Sequence, residues 1–202
     1  MKIQLMILPV MILTACGTRE TTKSKPNPEA IEYNYLAVEQ QQIGNVDSAL
    51  YFIDKAISVD STQYVYYVLR LTFLWNLNRN DEALLTAKKI SKLRDNNNVS
   101  FEGIAYEKLG DIDKARELYK QTIDNWPTKE LNNFNSRVEY SQLVTIIYGK
   151  EKGLEELNKI DESKLPHEQE EVLEYVRQLI KNYNGTGYWY FQFSNGELKI
   201  NF

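Results

Sequence analysis

Three alanines, Ala49, Ala83 and Ala115, recur at intervals of 34 and 32 residues, each inside a similar phrase: GNVDSALYFIDKAI, NRNDEALLTAKKI and GDIDKARELYKQTI. A chain that repeats one phrase at this interval has little freedom in what it folds into. Each phrase opens on polar, turn-forming residues and continues with apolar residues at helical spacing. A second apolar stripe of the same period precedes each one. The repeating unit is therefore a helical hairpin. A single hairpin cannot bury its own apolar faces, so successive hairpins must stack.

In the first unit, helix A is expected from about Glu29 to Ile43, with Tyr33, Leu36 and Ala37 at helical spacing. Gly44 and Asn45 supply the turn, and Asp47-Ser48-Ala49 begins helix B, on which Ala49, Ile53, Ala56 and Ile57 share a face. The second unit repeats the pattern at Tyr67, Leu71, Leu74, Ala83, Ala87 and Ile90, with Leu77-Asn78-Arg79-Asn80 at the turn. Asparagine tolerates left-handed backbone better than most residues, so this turn is expected to survive without glycine. The third unit carries Phe101, Gly103, Tyr106, Leu109-Gly110-Asp111, Ala115 and Tyr119, and Pro127 after Trp126 stops its second helix. A fourth, degenerate unit is expected over 130–161, with Gly153 where alanine stands elsewhere.

These phrases resemble the tetratricopeptide repeat. The resemblance implies an all-α, TPR-like α-α superhelix of three to four repeats that binds other proteins or peptides along a concave face lined by helix A. Residues 166–185 read as a capping helix with Val172, Leu173, Val176, Leu179, Ile180 and Tyr183 on one face. Glu170, Glu174, Gln178 and Lys181 are expected on its solvent side.

Both ends of the chain depart from this period. Before Arg19, Lys2 is the only charge, and an apolar run from Ile3 to Leu13 leads to Thr14-Ala15-Cys16. The run is too short for a membrane-spanning helix and has the flanks of an export signal. A small residue before cysteine resembles the bacterial lipoprotein box, which implies cleavage after residue 15 and a lipid on Cys16, the only cysteine. The alternative is an ordinary secretory signal with a chance cysteine. Gly17, rather than aspartate, after the lipid cysteine implies outer-membrane sorting on the rule that holds in enteric bacteria. Residues 16–28, polar and containing proline, read as a flexible tether.

After Gly185-Thr186-Gly187 the period changes from 3.6 to 2. Asn195-Gly196 is a strong signal for a short β-hairpin over 186–202. In the register that centres the turn there, Trp189, Phe191, Phe193, Leu198, Ile200 and Phe202 share one face. The domain reading is thus 1–15 signal peptide, 16–28 tether, 29–185 helical domain with its cap, and 186–202 hairpin.

The charge balance excludes some functions. A formal net charge of −4, with 24 basic and 28 acidic side chains, argues against nucleic acid. His167 is the only histidine, which leaves no multi-histidine metal site and no Ser-His-Asp triad. Phosphate-loop and dinucleotide glycine fingerprints are absent from the sequence. No cofactor, metal or catalytic residue is expected, and the chain reads as a binding protein, not an enzyme.

By repeat position, the resemblance implies a partner-binding groove of Asn34, Val38, Gln41 and Gln42 from the first unit and Val68, Thr72, Trp75 and Asn76 from the second. Ser100, Ile104, Glu107 and Lys108 follow from the third, with Val138, Gln142 and Thr145 from the fourth. Trp75 reads either as an exposed anchor for a peptide or as packing between helices. The leading expectation is a lipid-anchored scaffold that holds a protein or peptide in this groove, in a role such as envelope assembly. Two alternatives stand beside it: the aromatic hairpin binds a partner's sheet, or the groove binds a saccharide.

Overall fold

The computed structural model describes residues 25–93, 99–185 and 187. Cys16, the export signal, most of the tether and the hairpin residues Trp189, Phe191, Phe193, Leu198, Ile200 and Phe202 lie outside the described residues. Among the described residues the regular structure is helical: α1 (Pro28–Gln42), α2 (Val46–Val59), α3 (Tyr64–Asn76), α4 (Asn80–Leu93), α5 (Ser100–Lys108), α6 (Ile112–Asp124), α7 (Phe134–Tyr148), α8 (Lys150–Leu157) and α9 (His167–Asn182), with 3-10 turns at Thr128–Asn132 and Glu162–Lys164. The chain divides into two compact units between Arg94 and Asp95. In the first, α1 packs on α2, α2 on α3 and α3 on α4. In the second, α5 packs on α6, α6 on α7, α7 on α8, and α9 on both α7 and α8.

The hairpin turns are what the repeated phrase encodes. Three of them close with the same pair of backbone bonds. Asn45 N–H donates to Gln40 O, Arg79 N–H to Leu74 O and Asp111 N–H to Tyr106 O, each at 2.9 Å. The residue before each donor bonds three back: Gly44 to Gln41, Asn78 to Trp75 and Gly110 to Glu107. This is the paired closure of a helix that ends in one left-handed residue. Gly44, Asn78 and Gly110 are those residues, at φ 81°, 56° and 86°. Asn78 thus holds the left-handed position without glycine, as its chemistry allows. Asn45 and Asp111 then cap the next helix, their side chains accepting from Ser48 N–H (3.3 Å) and Lys114 N–H (3.1 Å). The fourth hairpin turns differently: Gly149, at φ 96°, both ends α7 and opens α8.

Helix B enters each hairpin at its small residue. Ala49, Ala83 and Ala115 are all buried, together with Ala37, Ile53 and Ala56 in the first hairpin. Two glycines mark the closest helix approaches. A Cβ on Gly103 would lie 2.7 Å from Cδ1 of the buried Tyr119 ring. At Gly153 it would lie 2.9 Å from the Thr145 Cβ and 3.0 Å from the Ser141 carbonyl. Alanine is therefore too large at 153, which explains its absence from the fourth phrase.

Helix α9 buries Leu173, Val176, Leu179 and Ile180, while Glu170, Glu174, Gln178 and Lys181 are exposed as expected. Lys150 Nζ donates to the Lys181 carbonyl at 3.0 Å, placing a cation at the carbonyl end of α9.

Candidate functional site

The expected groove residues do not share one environment. On α1, Asn34, Val38 and Gln41 are half-buried along one face and Gln42 is exposed. On α3, Val68 and Thr72 are half-buried and Asn76 is exposed, while the Thr72 hydroxyl is turned back on its own helix to Val68 O at 3.1 Å. Trp75 is only 4 % exposed. Its reading as a surface anchor gives way to the alternative, packing inside the fold.

In the second unit the expectation fails at four positions. Ser100 and Ile104 are buried, and the Ser100 hydroxyl donates to Glu139 Oε1 at 3.4 Å, inside the α5–α7 layer. Gln142 and Thr145 are also buried, within an unbroken buried run over 141–146. The reason is that α7 is packed by α6, α8 and α9, so its sides are covered and helical period no longer sorts an inner from an outer face. Thr145 faces α8: its hydroxyl donates to Ser141 O at 2.8 Å and lies against Gly153. Glu107, Lys108 and Val138 remain half-buried.

One atom in the first unit stands out. The Asn34 amide oxygen is buried and has no hydrogen-bond partner. A buried acceptor left unpaired costs about 1–3 kcal/mol, and it sits on the face of α1 that the repeat pattern assigns to binding.

The second unit holds a cluster that sequence reasoning missed. The Tyr119 hydroxyl donates to Glu107 Oε2 at 2.6 Å, and the Gly187 N–H donates to the Tyr183 hydroxyl at 3.0 Å. Gly187 lies directly on the Glu107 carboxylate, so that any side chain there would overlap it. Burial raises the Tyr183 phenol above its ordinary value, with the Gly187 N–H opposing the shift. Glu107 was visible as a groove candidate. Tyr183 was visible only as part of the apolar face of the capping helix and Gly187 only as part of the break after it; nothing in the sequence pointed to their meeting Glu107.

A pit of about 270 Å³ opens between α2, α3 and α4, lined by Ile57, Tyr67, Arg70, Glu82, Leu85, Thr86 and Lys89. None of the expected groove residues lines it. The Arg70 guanidinium is already satisfied there by Asp54 at 2.7 Å and by the Thr86 hydroxyl. Lys89 Nζ sits 5.8 Å from the centroid of the Tyr67 ring, a cation–π contact.

His167 is exposed at the start of α9, with Nε2 3.3 Å from Glu171 and Nδ1 3.6 Å from Glu170. Among the described residues there is no group of three or more His, Cys, Asp or Glu side chains that could hold a metal ion. Nor, among them, is any helix long and apolar enough to cross a membrane.

No family model matches the sequence. The chain is similar to a TPR repeat-containing protein of Methanocaldococcus jannaschii, 24% identical over 162 residues, which is 79% of this chain and 26% of that protein. It thus spans about a quarter of the length of that relative. Among solved structures it is similar to MamA, at 17% identity and a TM-score of 0.46, over 76% of this chain and 84% of the other. It is also similar to YrrB, described as a TPR protein with an unusual peptide-binding site, at 17% identity and a TM-score of 0.42, over 78% and 80% of the two chains.

Proposed function

We propose that this protein is a tetratricopeptide-type interaction scaffold that holds an extended segment of a partner protein against α1 and α3, and that it is tethered to a bacterial envelope membrane by lipid on Cys16. The repeated hairpins with their common turn support the scaffold part of the reading. The sequence similarity to a TPR repeat-containing protein agrees with it. The lipid anchor rests on the sequence before residue 17.

Asn34 is the observation that carries the binding site. An extended peptide has a free N–H at each residue between side-chain contacts; the Asn34 oxygen is covered in the free protein, so it pairs with such an N–H once the half-buried side chain rotates outward. Val38 and Val68 supply apolar contact on either side, and the amides of Gln41, Gln42 and Asn76 supply further polar contacts at the rim.

The test pairs crosslinking and pull-down from the protein's own membranes with the variant Asn34→Leu. Replacing an unpaired acceptor by an apolar group leaves the free protein as stable or more so. The same change lowers recovery of the partner by about ten-fold, as expected for one lost hydrogen bond of about 1–1.5 kcal/mol. Recovery of no partner above background refutes the scaffold. Undiminished recovery with Asn34→Leu refutes this site. Solubilisation without detergent, unchanged between wild type and Cys16→Ser, refutes the anchor.

A further inference from the structure

One repeated position sets the first unit apart from the third hairpin. Two residues after Ala49, Ala83 and Ala115 stand Tyr51, Leu85 and Glu117. Tyr51 is 58 % and Leu85 is 68 % exposed. Glu117, by contrast, is a charged surface residue paired with Lys114 at 2.8 Å. The solvated side of a helix is ordinarily polar, so the first unit shows two large apolar side chains where the helical period asks for none.

Leu85 is also a wall of the pit between α2, α3 and α4, together with Ile57 and the Tyr67 ring. Tyr51 stands one turn before Asp54 on the same face of α2. The charges at the pit pair off, Asp54 with Arg70 at 2.7 Å and Glu82 with Arg79 at 2.6 Å. The buried Thr86 hydroxyl donates to the Glu82 carbonyl at 2.8 Å. Lys89 is the exception. It is exposed, and among the described residues its Nζ meets the Tyr67 ring at 5.8 Å and no carboxylate.

Apolar walls beside one unmatched cation suit a ligand with an apolar body and a single negative charge. At about 270 Å³ the pit is smaller than the about 300–1,000 Å³ of a small-molecule site, which leaves room for a side chain and its carboxylate but not for a cofactor. An apolar side chain and a carboxylate belong to one residue only at the C-terminus of a protein chain.

We propose that this pit is a second binding site, which takes the C-terminal residue of a partner protein: the apolar side chain enters between Ile57 and Leu85, and the free carboxylate pairs with Lys89. None of the residues assigned to the Asn34 site lines the pit. The two sites therefore stand or fall separately.

Fluorescence polarisation on the full chain tests it, with the fluorescein-labelled peptide Gly-Ser-Gly-Leu as the probe. The free acid binds saturably below about 1 mM. Its C-terminal amide, and a free acid ending in serine, bind about ten-fold more weakly, as expected for one lost charge-assisted bond or one lost apolar side chain. Lys89→Met and Leu85→Asp, both at exposed positions, each lower affinity about ten-fold with the helical circular dichroism unchanged. Asn34→Leu leaves affinity as it was. Absence of saturation by about 1 mM overturns the proposal, as does equal affinity for the amide or for Lys89→Met. An amide-ended peptide with leucine beside an internal aspartate that binds as tightly as the free acid overturns the assignment to a chain terminus. Loss of binding with Asn34→Leu puts the probe in the groove, and overturns the second site while sparing the first.

Discussion

Replacing Gly103 by alanine tests the close helix approach on which the third hairpin depends. In an ordinary helix interior this change stabilises by about 0.8–1 kcal/mol, because glycine has more backbone freedom to lose. Here the new methyl meets the Tyr119 ring, 2.7 Å from Cδ1 and 3.0 Å from Cζ. The ring is 1 % exposed, so it has nowhere to turn, and its hydroxyl is held by Glu107. Overpacking of this kind costs about 1–3 kcal/mol, and disturbing a hydrogen bond to a charged group adds about 1.5–3 kcal/mol at most. The expected net effect of Gly103→Ala is a loss of about 1–3 kcal/mol after the propensity gain. Urea unfolding followed by circular dichroism and by tryptophan fluorescence measures it. The decisive comparison is made in a Tyr119→Ala background, itself lower by about 3–5 kcal/mol and studied in sucrose, which strengthens burial. With the ring gone, Gly103→Ala should turn stabilising by about 0.8–1 kcal/mol. If the sign of the effect is the same in both backgrounds, the ring is not what requires glycine and the reasoning is wrong.

Arg137, whose side chain is 13% exposed, donates to Glu156 at 2.8 Å and to the Leu131 carbonyl at 2.9 Å, joining α7, α8 and the 3-10 turn. Arg137→Ala should cost about 1.5–3 kcal/mol in thermal or urea melts, and Arg137→Lys should recover less than half, because one ammonium lacks the fork needed for both acceptors. At the second turn, Asn78→Ala should cost about 1–2 kcal/mol for left-handed backbone, while Asn78→Gly should leave the midpoint unchanged or raised. The Asp161 carboxyl is held down to about 2, first by Lys164 and then by the Ser163 hydroxyl. Its folded value is depressed, so its contribution is complete above its ordinary value of 3.8 and is lost as pH falls through about 2. Melting temperatures of wild type and Asp161→Asn should therefore converge between pH 4 and pH 2, about the window set by these two values, and a constant gap would contradict the pairing.

How much of this was legible beforehand depends on the range over which each feature is decided. The repeat, the hairpin turns at 44–45, 77–80 and 109–111 and the small residues opening each helix B were all readable. Each is set by neighbours within one hairpin, where backbone sterics and helical period act alone. The solvent face of α9 was readable for the same reason. The openness of the groove was not. Period shows which face of a helix is apolar, but not how many helices come to surround it. That is why Gln142 and Thr145, on a helix flanked by three others, disappeared into the core, and why Trp75 became packing instead of an anchor.

The sequence by itself determined that the chain would make stacked helical hairpins with a particular turn, because each hairpin repeats one local solution to capping and close approach. Only the tertiary structure decided which helix A residues stay near the surface, which acceptor is left without a donor at Asn34, and that the chain after α9 comes to rest on Glu107. Those depend on contacts between residues tens of positions apart, for which the linear order of residues carries no periodic signal.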